Sequence, residues 1–305
     1  MPIDFRAKKP SDILEYFSTH VFEADAIVEL KLLTSDIDTI GYKAFVDLAQ
    51  LFYMKMLSPI STCAVSASEE VLLGCQNEIT LRFKKLNQAS SFHKAEKNSE
   101  TYGVGSEFFS IDKTAEFSFL YHYQKALEFV NLKSRKRVLD LGINKGDEFK
   151  VIEEMLSDEE FSSKEFVGVD YSQSAIEYAK KEFPHANTEF VCGDINRLQE
   201  LELGRFDLLI SIGTLQSSSM NFNQTFMSLY QEHLEKDGAI ILGFPNCRWI
   251  DGEMIYGAKA PNYAFSEMSL VLKDIHFCKK YLQQKKYRVV ITGKDYLFLS
   301  ARKIG

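Results

Sequence analysis

The sequence predicts an α/β protein: a smaller N-terminal α+β region, then a seven-stranded, mostly parallel, doubly wound sheet that ends in an antiparallel hairpin. From Arg137 onward short apolar runs alternate with helical patterns, which is typical of a parallel sheet covered on both faces. Near the end of the chain only Gly293-Lys294-Asp295 separates two strand patterns, so we expect these strands to pair antiparallel. Residues 87–100 are polar and aperiodic, which predicts a boundary between the two regions.

The first 86 residues carry the patterns of a small α+β region. Ser11 is a candidate N-cap for the first helix, and Pro59 follows the last apolar residue of a helical pattern. The predicted elements are a helix over 11–17, a strand over 26–33, a helix over 40–57 and a strand over 78–86. We predict an N-terminal accessory region over residues 1–100, which acts as a lid, a docking module or a dimerisation element.

The second region, predicted over residues 101–305, shows the alternation of strands and helices throughout. Predicted strands cover 137–141, 166–169, 188–192, 206–212 and 238–243, and the hairpin covers 287–292 and 296–301. Predicted helices cover 116–131, 146–157, 173–182 and 222–235. A sheet of this kind binds ligands at the carboxyl ends of its strands, so the residues just after each strand are the candidates for a site.

The composition of the 305 residues limits the partners that we expect. A net charge of −7 and a pI near 5.5 argue against a large nucleic-acid footprint, which needs a basic face. No apolar run reaches the roughly 18 residues of a membrane span, so no membrane partner is expected. The five cysteines are scattered without a CxxC pair, and no cluster has metal-ligand spacing. We expect a cytoplasmic protein without a metal site.

A glycine turn follows the first strand of the predicted parallel sheet. Residues 138–146 read VLDLGINKG, so Gly142 and Gly146 allow a ligand to approach the backbone closely. Asn144 is one of the few residue types other than glycine that tolerate a left-handed backbone. The spacing is G-x-x-x-G rather than the G-x-G-x-x-G of dinucleotide sites. The turn predicts a ligand site, although a tight strand-to-helix turn would read the same way.

Two acids follow the next two strands. Asp170 ends the run VGVD, and a carboxylate at this place accepts both hydroxyls of a ribose or caps the following helix. Asp194 stands in FVCGDI, where it accepts an exocyclic amine of a base or closes a turn. Ile195 would then cover the ring. Together with the glycine turn, these residues predict a nucleoside site.

The ordered set VLDLGxNxG, VGVDYSxxAIEYAKxxFP, FVCGDI, FDLLIS and LxxDGAIIL, followed by a strand hairpin, resembles the class I S-adenosylmethionine-dependent methyltransferases. The resemblance covers about residues 130–305, and only Asn144 departs from the commonest pattern, which has glycine there. It implies S-adenosyl-L-methionine as the cofactor, with Asp140, Gly142, Asn144 and Gly146 at its methionine end. It also implies Asp170 at the ribose, Tyr171, Asp194 and Ile195 at the adenine, and Ser211 and Gly213 beside the methyl-transfer site.

The acceptor side is less specific. Tyr102 stands in a glycine-containing aromatic segment before the sheet, and a long insert after residue 245 holds Arg248, Trp249, Tyr256 and Tyr263. These are the candidate substrate-binding residues, since an arginine with aromatic rings suits a planar or anionic molecule; ordinary packing of the insert is the alternative. His122, Asp251 and Glu253 are the candidate bases, although the aromatic helix face around His122 favours a structural role for that residue.

The sequence leaves three functions open. The first is methyl transfer to a small-molecule acceptor, which the acidic pI favours. The second is methylation of tRNA or a protein docked on residues 1–86, and the third is a non-catalytic scaffold that binds the cofactor. A homodimer formed through the N-terminal region is compatible with each of them.

Overall fold

The computed structural model describes residues 2–62, 78–89, 100, 102–106, 109–217, 220–259 and 266–304. The chain divides into two compact units: Met1–Ser91 with Trp249–Tyr256, and Phe92–Arg248 with Gly257–Gly305. The predicted division into residues 1–100 and 101–305 differs from this in two respects: the boundary falls between Ser91 and Phe92, and part of the insert after residue 245 belongs to the N-terminal unit. None of the helices within the described ranges has the length and hydropathy needed to cross a membrane.

The N-terminal unit is an α+β structure around a mostly antiparallel sheet. Its elements are β1 (Ile3–Asp4), α1 (Pro10–Thr19), β2 (Ile27–Leu33), α2 (Thr34–Ile40), α3 (Tyr42–Leu51), β3 (Met54–Met56), β4 (Ile60–Thr62) and β5 (Glu78–Lys85). The strand order is β1-β2-β5-β3, with β4 also paired to β5, and only β1 and β2 run parallel. Alternate residues Leu30, Leu32, Leu81 and Phe83 are fully buried against Phe17, as the period-two pattern predicts.

The helix predicted over residues 40–57 is present only over Tyr42–Leu51, so its predicted bounds are wrong at both ends. Gly41 has φ +87°, a conformation that ends α2 after Ile40 and makes the chain turn before α3 begins. The α3 helix ends at Leu51, and Tyr53, also at positive φ, leads into the strand β3. Hydrogen bonding to β5 outweighs the helical spacing of the apolar residues there, because pairing satisfies the backbone groups of both strands.

The larger unit contains the predicted parallel sheet. Its elements are α4 (Phe117–Phe129), β6 (Arg137–Leu141), α5 (Asp147–Met155), α6 (Asp158–Ser162), β7 (Glu165–Asp170), α7 (Gln173–Glu182), β8 (Thr188–Cys192), β9 (Phe206–Ile212), α8 (Phe222–Ser228) and β10 (Leu234–Pro245). A two-stranded sheet follows, β11 (Cys247–Ile250) with β12 (Glu253–Tyr256), and then α9 (Ser269–Gln284), β13 (Tyr287–Gly293) and β14 (Tyr296–Lys303).

Seven strands pair in the order β13-β14-β10-β9-β6-β7-β8. Strands β6 to β10 run parallel, and β14 is antiparallel to both of its neighbours. The fold class predicted from the sequence is therefore confirmed, including the closing hairpin. The order places the ends of β6, β7 and β8 side by side, so the residues that follow these strands share one edge of the sheet.

Helices cover both faces of this sheet, which is why its strands are apolar at nearly every position. On β7, Val167 and Val169 belong to the same core as Ile275 of α9. The alternate residue Phe166 packs on Phe149 of α5, with ring centroids 5.3 Å apart. Each fully buried phenylalanine contributes roughly 1.5–3 kcal/mol, so this packing holds the strand ends in place.

Candidate functional site

The turn after β6 has the conformation that its glycines require. Gly142 has φ +79° and Gly146 has φ +93°, both in the left-handed region. The amide of Gly142 donates to the carbonyl of Val169 at 2.8 Å, which ties the turn to the end of β7. A Cβ at Gly142 would overlap the side chain of Thr214, and one at Gly146 would overlap the ring of Phe183. Both positions therefore exclude larger residues.

Asn144 adopts the left-handed conformation expected of it, with φ +47°. Its amide donates to Asp170 Oδ2 at 2.9 Å, and its side-chain Nδ2 donates to the carbonyl of Tyr102 at 2.7 Å. Asparagine thus satisfies the backbone geometry that the commonest pattern meets with glycine, and it adds a side-chain contact that glycine lacks.

Asp170 lies at the end of β7 and is 8% exposed. Its Oδ2 accepts from Asn144, and its Oδ1 accepts from the amide of Ser172 at 2.9 Å. Burial raises the pKa of the carboxyl, while these backbone donors lower it. Ser172 caps α7 through Ala175, so the acid is free of the capping role that was its alternative. A carboxylate oxygen accepts more than one hydrogen bond, which leaves room for ligand hydroxyls.

Asp140 is the penultimate residue of β6, and its side chain is fully buried. Neither of its carboxyl oxygens has a well-aligned donor within the described part of the chain. Burial and then Glu148 raise the pKa of this carboxyl well above its ordinary value. A buried carboxyl in this state needs a proton or a cation, because an unpaired charge away from water is costly.

The predicted adenine residues differ in their surroundings. Tyr171 is 58% exposed and offers a ring face beside β7. Asp194 follows β8 and caps a 3₁₀ turn, with Oδ1 accepting from the amide of Asn196 at 2.9 Å and from its side chain at 3.0 Å. Asp194 therefore stabilises a turn through Oδ1, and its other carboxyl oxygen, Oδ2, remains for a ligand. Ile195 packs against the core of the sheet.

The end of β9 holds two predicted residues and one that the sequence did not single out. Ser211 is 3% exposed, and its hydroxyl donates to the carbonyl of Leu141 at 3.3 Å, so it joins two strands instead of facing a ligand. Gly213 has φ +78° and donates to Gly243 at 2.9 Å. Thr214 follows and lies against Gly142. Thr214 reaches Gly142 because β9 and β6 are neighbours in the sheet. The residues next to Thr214 in the sequence do not indicate this pairing.

Comparison with known proteins decides the family. A family model described as "Methyltransferase domain" matches residues 132–292, more than half of the chain. The chain belongs to the methyltransferase-domain family. The family predicted from the ordered motifs is thereby confirmed, and the protein is an enzyme of this class. No curated protein matches the sequence.

Three solved structures similar to this methyltransferase share little sequence identity with it. The plantazolicin methyltransferase BpumL in complex with SAH is 11% identical, with a TM-score of 0.46 over 68% of this chain and 94% of that one. A TehB-like SAM-dependent methyltransferase from Corynebacterium glutamicum is 16% identical, with a TM-score of 0.38 over 59% and 87%. Coclaurine N-methyltransferase, bound to N-methylheliamine and SAH, is 18% identical, with a TM-score of 0.35 over 42% of this chain and 36% of that one.

A segment before β6 contacts the loop after β6 and the loop after β7. The Glu100 carboxylate accepts from Ser172 Oγ at 2.9 Å and from the amide of Gln173 at 3.1 Å, so it caps α7 beside Asp170. Val104 donates to Ser174 Oγ at 2.9 Å. With the bond from Asn144 to Tyr102, these contacts place the described residues of the segment over the ends of β6 and β7.

Tyr102 and His122 both belong to the larger unit. Tyr102 is 38% exposed and contributes its backbone carbonyl to Asn144, as described above. His122 is partly exposed on α4, and its ring packs edge-on against Tyr121 with centroids 5.2 Å apart. The structure therefore does not group His122 with the residues at the strand ends.

The insert residues fall mainly outside the larger unit. Trp249 and Tyr256 belong to the N-terminal unit, as do the candidate bases Asp251 and Glu253. Asp251 accepts from the amide of Asn87 at 3.4 Å, and Glu253 forms an ion pair with Lys55. Arg248 contacts Ser266 Oγ at 3.0 Å in the larger unit, and Tyr263 lies outside the described residues. The role of these residues in substrate binding stays a prediction.

Three charged residues that sequence reasoning missed lie at this edge. Lys113 forms an ion pair with Glu148 at 2.5 Å, and both side chains are largely buried. Asp295, in the turn between β13 and β14, is 3% exposed, and its Oδ1 has no hydrogen-bond partner within the described ranges. Glu148 could be recognised in the sequence only as an acid in the first turn of a helix. No sequence pattern indicated a role for Lys113 or Asp295.

A cavity of about 360 Å³ lies beyond the end of β9. Residues of the loop after β9, of the start of α8 and of α9 line it: Leu215, Gln216, Ser217, Met220, Asn221, Phe222, Asn223, Lys273 and Asp274. Its volume is at the lower end of the range for small-molecule sites. It is the candidate acceptor cavity of the larger unit.

Proposed function

We propose that the protein transfers the methyl group of S-adenosylmethionine to a small-molecule acceptor. The observation that supports the cofactor is the joining of three strand ends by short hydrogen bonds. Asn144 donates to Asp170, and the amide of Gly193, next to Asp194, donates to the carbonyl of Asp170 at 2.9 Å. One elongated ligand is thus in reach of the glycine turn, Asp170 and Asp194.

The residues at this edge fit the cofactor. The carboxyl of the buried Asp140 has no hydrogen-bond donor among the residues described, and it suits the ammonium of the amino-acid end. Gly142 and Gly146 have no side chains to occupy the turn, so the backbone meets the ligand directly. Asp170 accepts ribose hydroxyls, and the exposed ring of Tyr171 offers a face to adenine.

Methyl transfer from a sulfonium is an in-line displacement. The cofactor supplies a methyl group already activated by positive charge: the acceptor lone pair forms the new bond, and the sulfur keeps the electrons of the old one. The chain must therefore align acceptor and methyl, a contribution worth about 7–11 kcal/mol of barrier. Asp170 and the glycine turn bind and orient, and Thr214, packed on Gly142, helps exclude water.

A hydroxyl or protonated amine acceptor must also lose a proton. Asp295 is the candidate base that the structure adds to those from the sequence. Its buried Oδ1 accepts no hydrogen bond from the described residues, while Lys294 Nζ lies 3.4 Å from Oδ2. Asp295 lies at the carboxyl edge of the parallel strands, because the amide of Asn246, which follows β10, donates to the backbone carbonyl of Asp295 at 2.7 Å.

A small acceptor is supported by two features. The net charge of −7 disfavours polyanionic substrates, and the cavity beyond β9 has room for a small molecule. Methylation of tRNA or a protein is the second candidate, supported only by an N-terminal unit with a core of its own. A salt titration of tRNA binding separates the two, because phosphate contacts weaken steeply as salt rises.

Calorimetry with S-adenosylmethionine and its demethylated product tests the cofactor assignment. We expect saturable binding of both by the wild type and a loss of at least 10-fold in affinity for Asp170→Ala. Asp237→Ala is the matched control, because this exposed acid lies in the first part of β10, at the opposite edge of the sheet. Equal affinity in all three proteins, or no binding at millimolar ligand, would contradict the proposal.

A further inference from the structure

A buried group of charges lies under the glycine turn, and the family motifs account for only one member of it. Asp140 points away from the core formed by its neighbours Leu139 and Leu141, toward the side of the sheet that α4 and α5 cover. Its two oxygens have no hydrogen-bond partner in the part of the chain that the structure describes, and it is fully buried. The charge of this carboxyl therefore depends on the ionisable groups around it.

The principal partners are Lys113 and Glu148, which are 27 and 8 positions away from Asp140 in the sequence. The Lys113 ammonium lies 2.5 Å from Glu148 Oε1, and the two side chains are 14% and 1% exposed. Glu148 Oε2 has no hydrogen-bond partner within the described residues. The ammonium of Lys113 thus pairs with Glu148, and it lowers the pKa of Asp140 by less than Glu148 raises it.

Several elements around Asp140 contribute ionisable groups. The groups are Lys113 from the 3₁₀ turn Lys113–Ala115, Tyr123 from α4, Asp147 and Glu148 from α5, Asp170 from β7 and, beside Lys113, Tyr296 from β14. Lys145 lies 3.9 Å from Asp147, so the four carboxyl groups Asp140, Asp147, Glu148 and Asp170 face the two cations Lys113 and Lys145. A second carboxylate charge at Asp140 would therefore stand unbalanced in a medium that solvates it poorly.

The cofactor ends in an α-ammonium group, and this group changes the balance of charges around Asp140. Asp140 is fully buried and neither carboxyl oxygen has a hydrogen-bond partner among the described residues, so the uncharged, protonated carboxyl is the favoured form without ligand; burial and Glu148 raise its pKa in the same direction. An ammonium placed against Asp140 supplies the missing positive charge. The carboxyl then ionises and its proton passes to solvent, so the new ammonium is balanced by the new carboxylate and the net charge of the site stays the same.

We propose that the cofactor's ammonium enters in exchange for one proton on Asp140, and that Lys113 and Glu148 are positioning residues that set this exchange. The inference rests on the proposed function, since it concerns the amino-acid end of the same ligand. No bond other than the O–H of Asp140 breaks, and the released proton goes to buffer. Cofactor affinity thereby falls as pH decreases.

The first test counts protons by titration calorimetry. S-adenosylhomocysteine is titrated into the full-length protein at pH 7 in phosphate and in Tris, which differ in ionisation enthalpy. We expect about one proton released for each ligand bound. 5′-Methylthioadenosine is the matched ligand, because it keeps the nucleoside but lacks the amino-acid end, and we expect close to zero protons for it.

Variants separate a charge effect from a merely structural one. In Glu148→Gln the ammonium of Lys113 is free to balance Asp140, so Asp140 ionises in the empty site and the proton count falls toward zero. In Lys113→Gln the site keeps an excess of carboxylates, and the count stays near one or rises. Asp140→Asn abolishes proton release. Asp194→Asn, at the other end of the site, changes affinity but leaves the proton count at one.

The outcomes are distinguishable. Binding of S-adenosylhomocysteine with no proton release, or equal release with 5′-methylthioadenosine, would overturn the exchange and leave the proposed function intact. A proton count unchanged in Glu148→Gln would refute the positioning role. Failure of both ligands to bind the wild type would overturn the proposed function and the exchange together. Circular dichroism of each variant confirms that the fold is kept.

Discussion

Replacing Gly142 with alanine tests the geometry on which the site depends. Gly142 combines a positive φ of +79° with close packing on Thr214. An added Cβ would overlap Thr214 Oγ1 and lie 2.8 Å from its Cβ and Cγ2. The turn cannot relax outward freely, because its amides at Gly142 and Ile143 are bonded to Val169 at 2.8 and 3.2 Å.

The expected cost has two parts. A left-handed conformation costs an alanine roughly 1–2 kcal/mol relative to glycine. Overpacking against Thr214 adds about 1–3 kcal/mol. Gly142→Ala should therefore destabilise the larger unit by about 2–5 kcal/mol, and it should weaken S-adenosylhomocysteine binding because the turn moves away from Asp170.

The assay is urea unfolding followed by circular dichroism, with calorimetry for ligand affinity. Trp249 is the only tryptophan, it is buried, and it belongs to the N-terminal unit, so its fluorescence follows that unit separately. Gly252→Ala is the matched control for the conformational part: it lies in the N-terminal unit, so its cost is followed by Trp249 fluorescence, its φ is +75°, and nothing lies within 4 Å of an added Cβ. It should lose only the conformational part, about 1–2 kcal/mol.

A double variant isolates the overlap. Adding Thr214→Gly to Gly142→Ala removes the clashing side chain but leaves the positive φ, so the larger unit should recover about 1–3 kcal/mol relative to Gly142→Ala. The reasoning would be refuted if Gly142→Ala cost no more than Gly252→Ala, or if the double variant recovered nothing relative to the single one.

Three further predictions follow from the same contacts. Asp170→Asn keeps the size of the side chain but loses the charge that accepts hydroxyls, so S-adenosylhomocysteine affinity should fall by about 1.5–3 kcal/mol in calorimetry; an unchanged affinity would exclude ribose binding by this residue. Burial raises the pKa of Asp147 to about 6 from an ordinary 3.8, so the folded state holds this proton more tightly. Stability should decrease by about 2–3 kcal/mol as pH rises from about 4 to 6, and Asp147→Asn, compared with the wild type in urea at each pH, should remove that part of the slope. Asn144→Gly keeps the left-handed turn but removes the 2.7 Å bond to Tyr102, so amide exchange over residues 102–106 should quicken; exchange equal to the wild type would show that this bond does not hold the segment.

Strand ends were predictable because they depend on local pattern. The strands 137–141 and 206–212 have the predicted bounds, since a strand buried on both faces is a short apolar run between polar turns. The residues after β6, β7 and β8 followed from the same rule. Where local pattern misled, pairing with a distant strand was responsible, as when β3 joined β5 within the predicted helix 40–57.

The insert shows a different failure. Its aromatic residues and acids matched what a substrate site needs, yet Ile250 and Ile255 pack on Leu86 and Tyr53 in the N-terminal unit. A stretch of chain between two strands of one unit is naturally assigned to that unit. The sequence alone does not show that its side chains are buried in the core of the other unit. Glu253 is likewise explained by its ion pair with Lys55, a surface pair worth about 1 kcal/mol or less.

By itself, the amino-acid sequence determined the fold class, the family and the identity of Gly142, Asp170 and Asp194 as neighbours at one sheet edge, because periodicity and glycine placement act over a few residues. Only the tertiary structure decided that Lys113 and Glu148 surround Asp140, that Ser211 bonds within the sheet and that residues 249–256 belong to the N-terminal unit. Charge balance and burial are sums over groups far apart in the chain, so they exist only once the chain has folded.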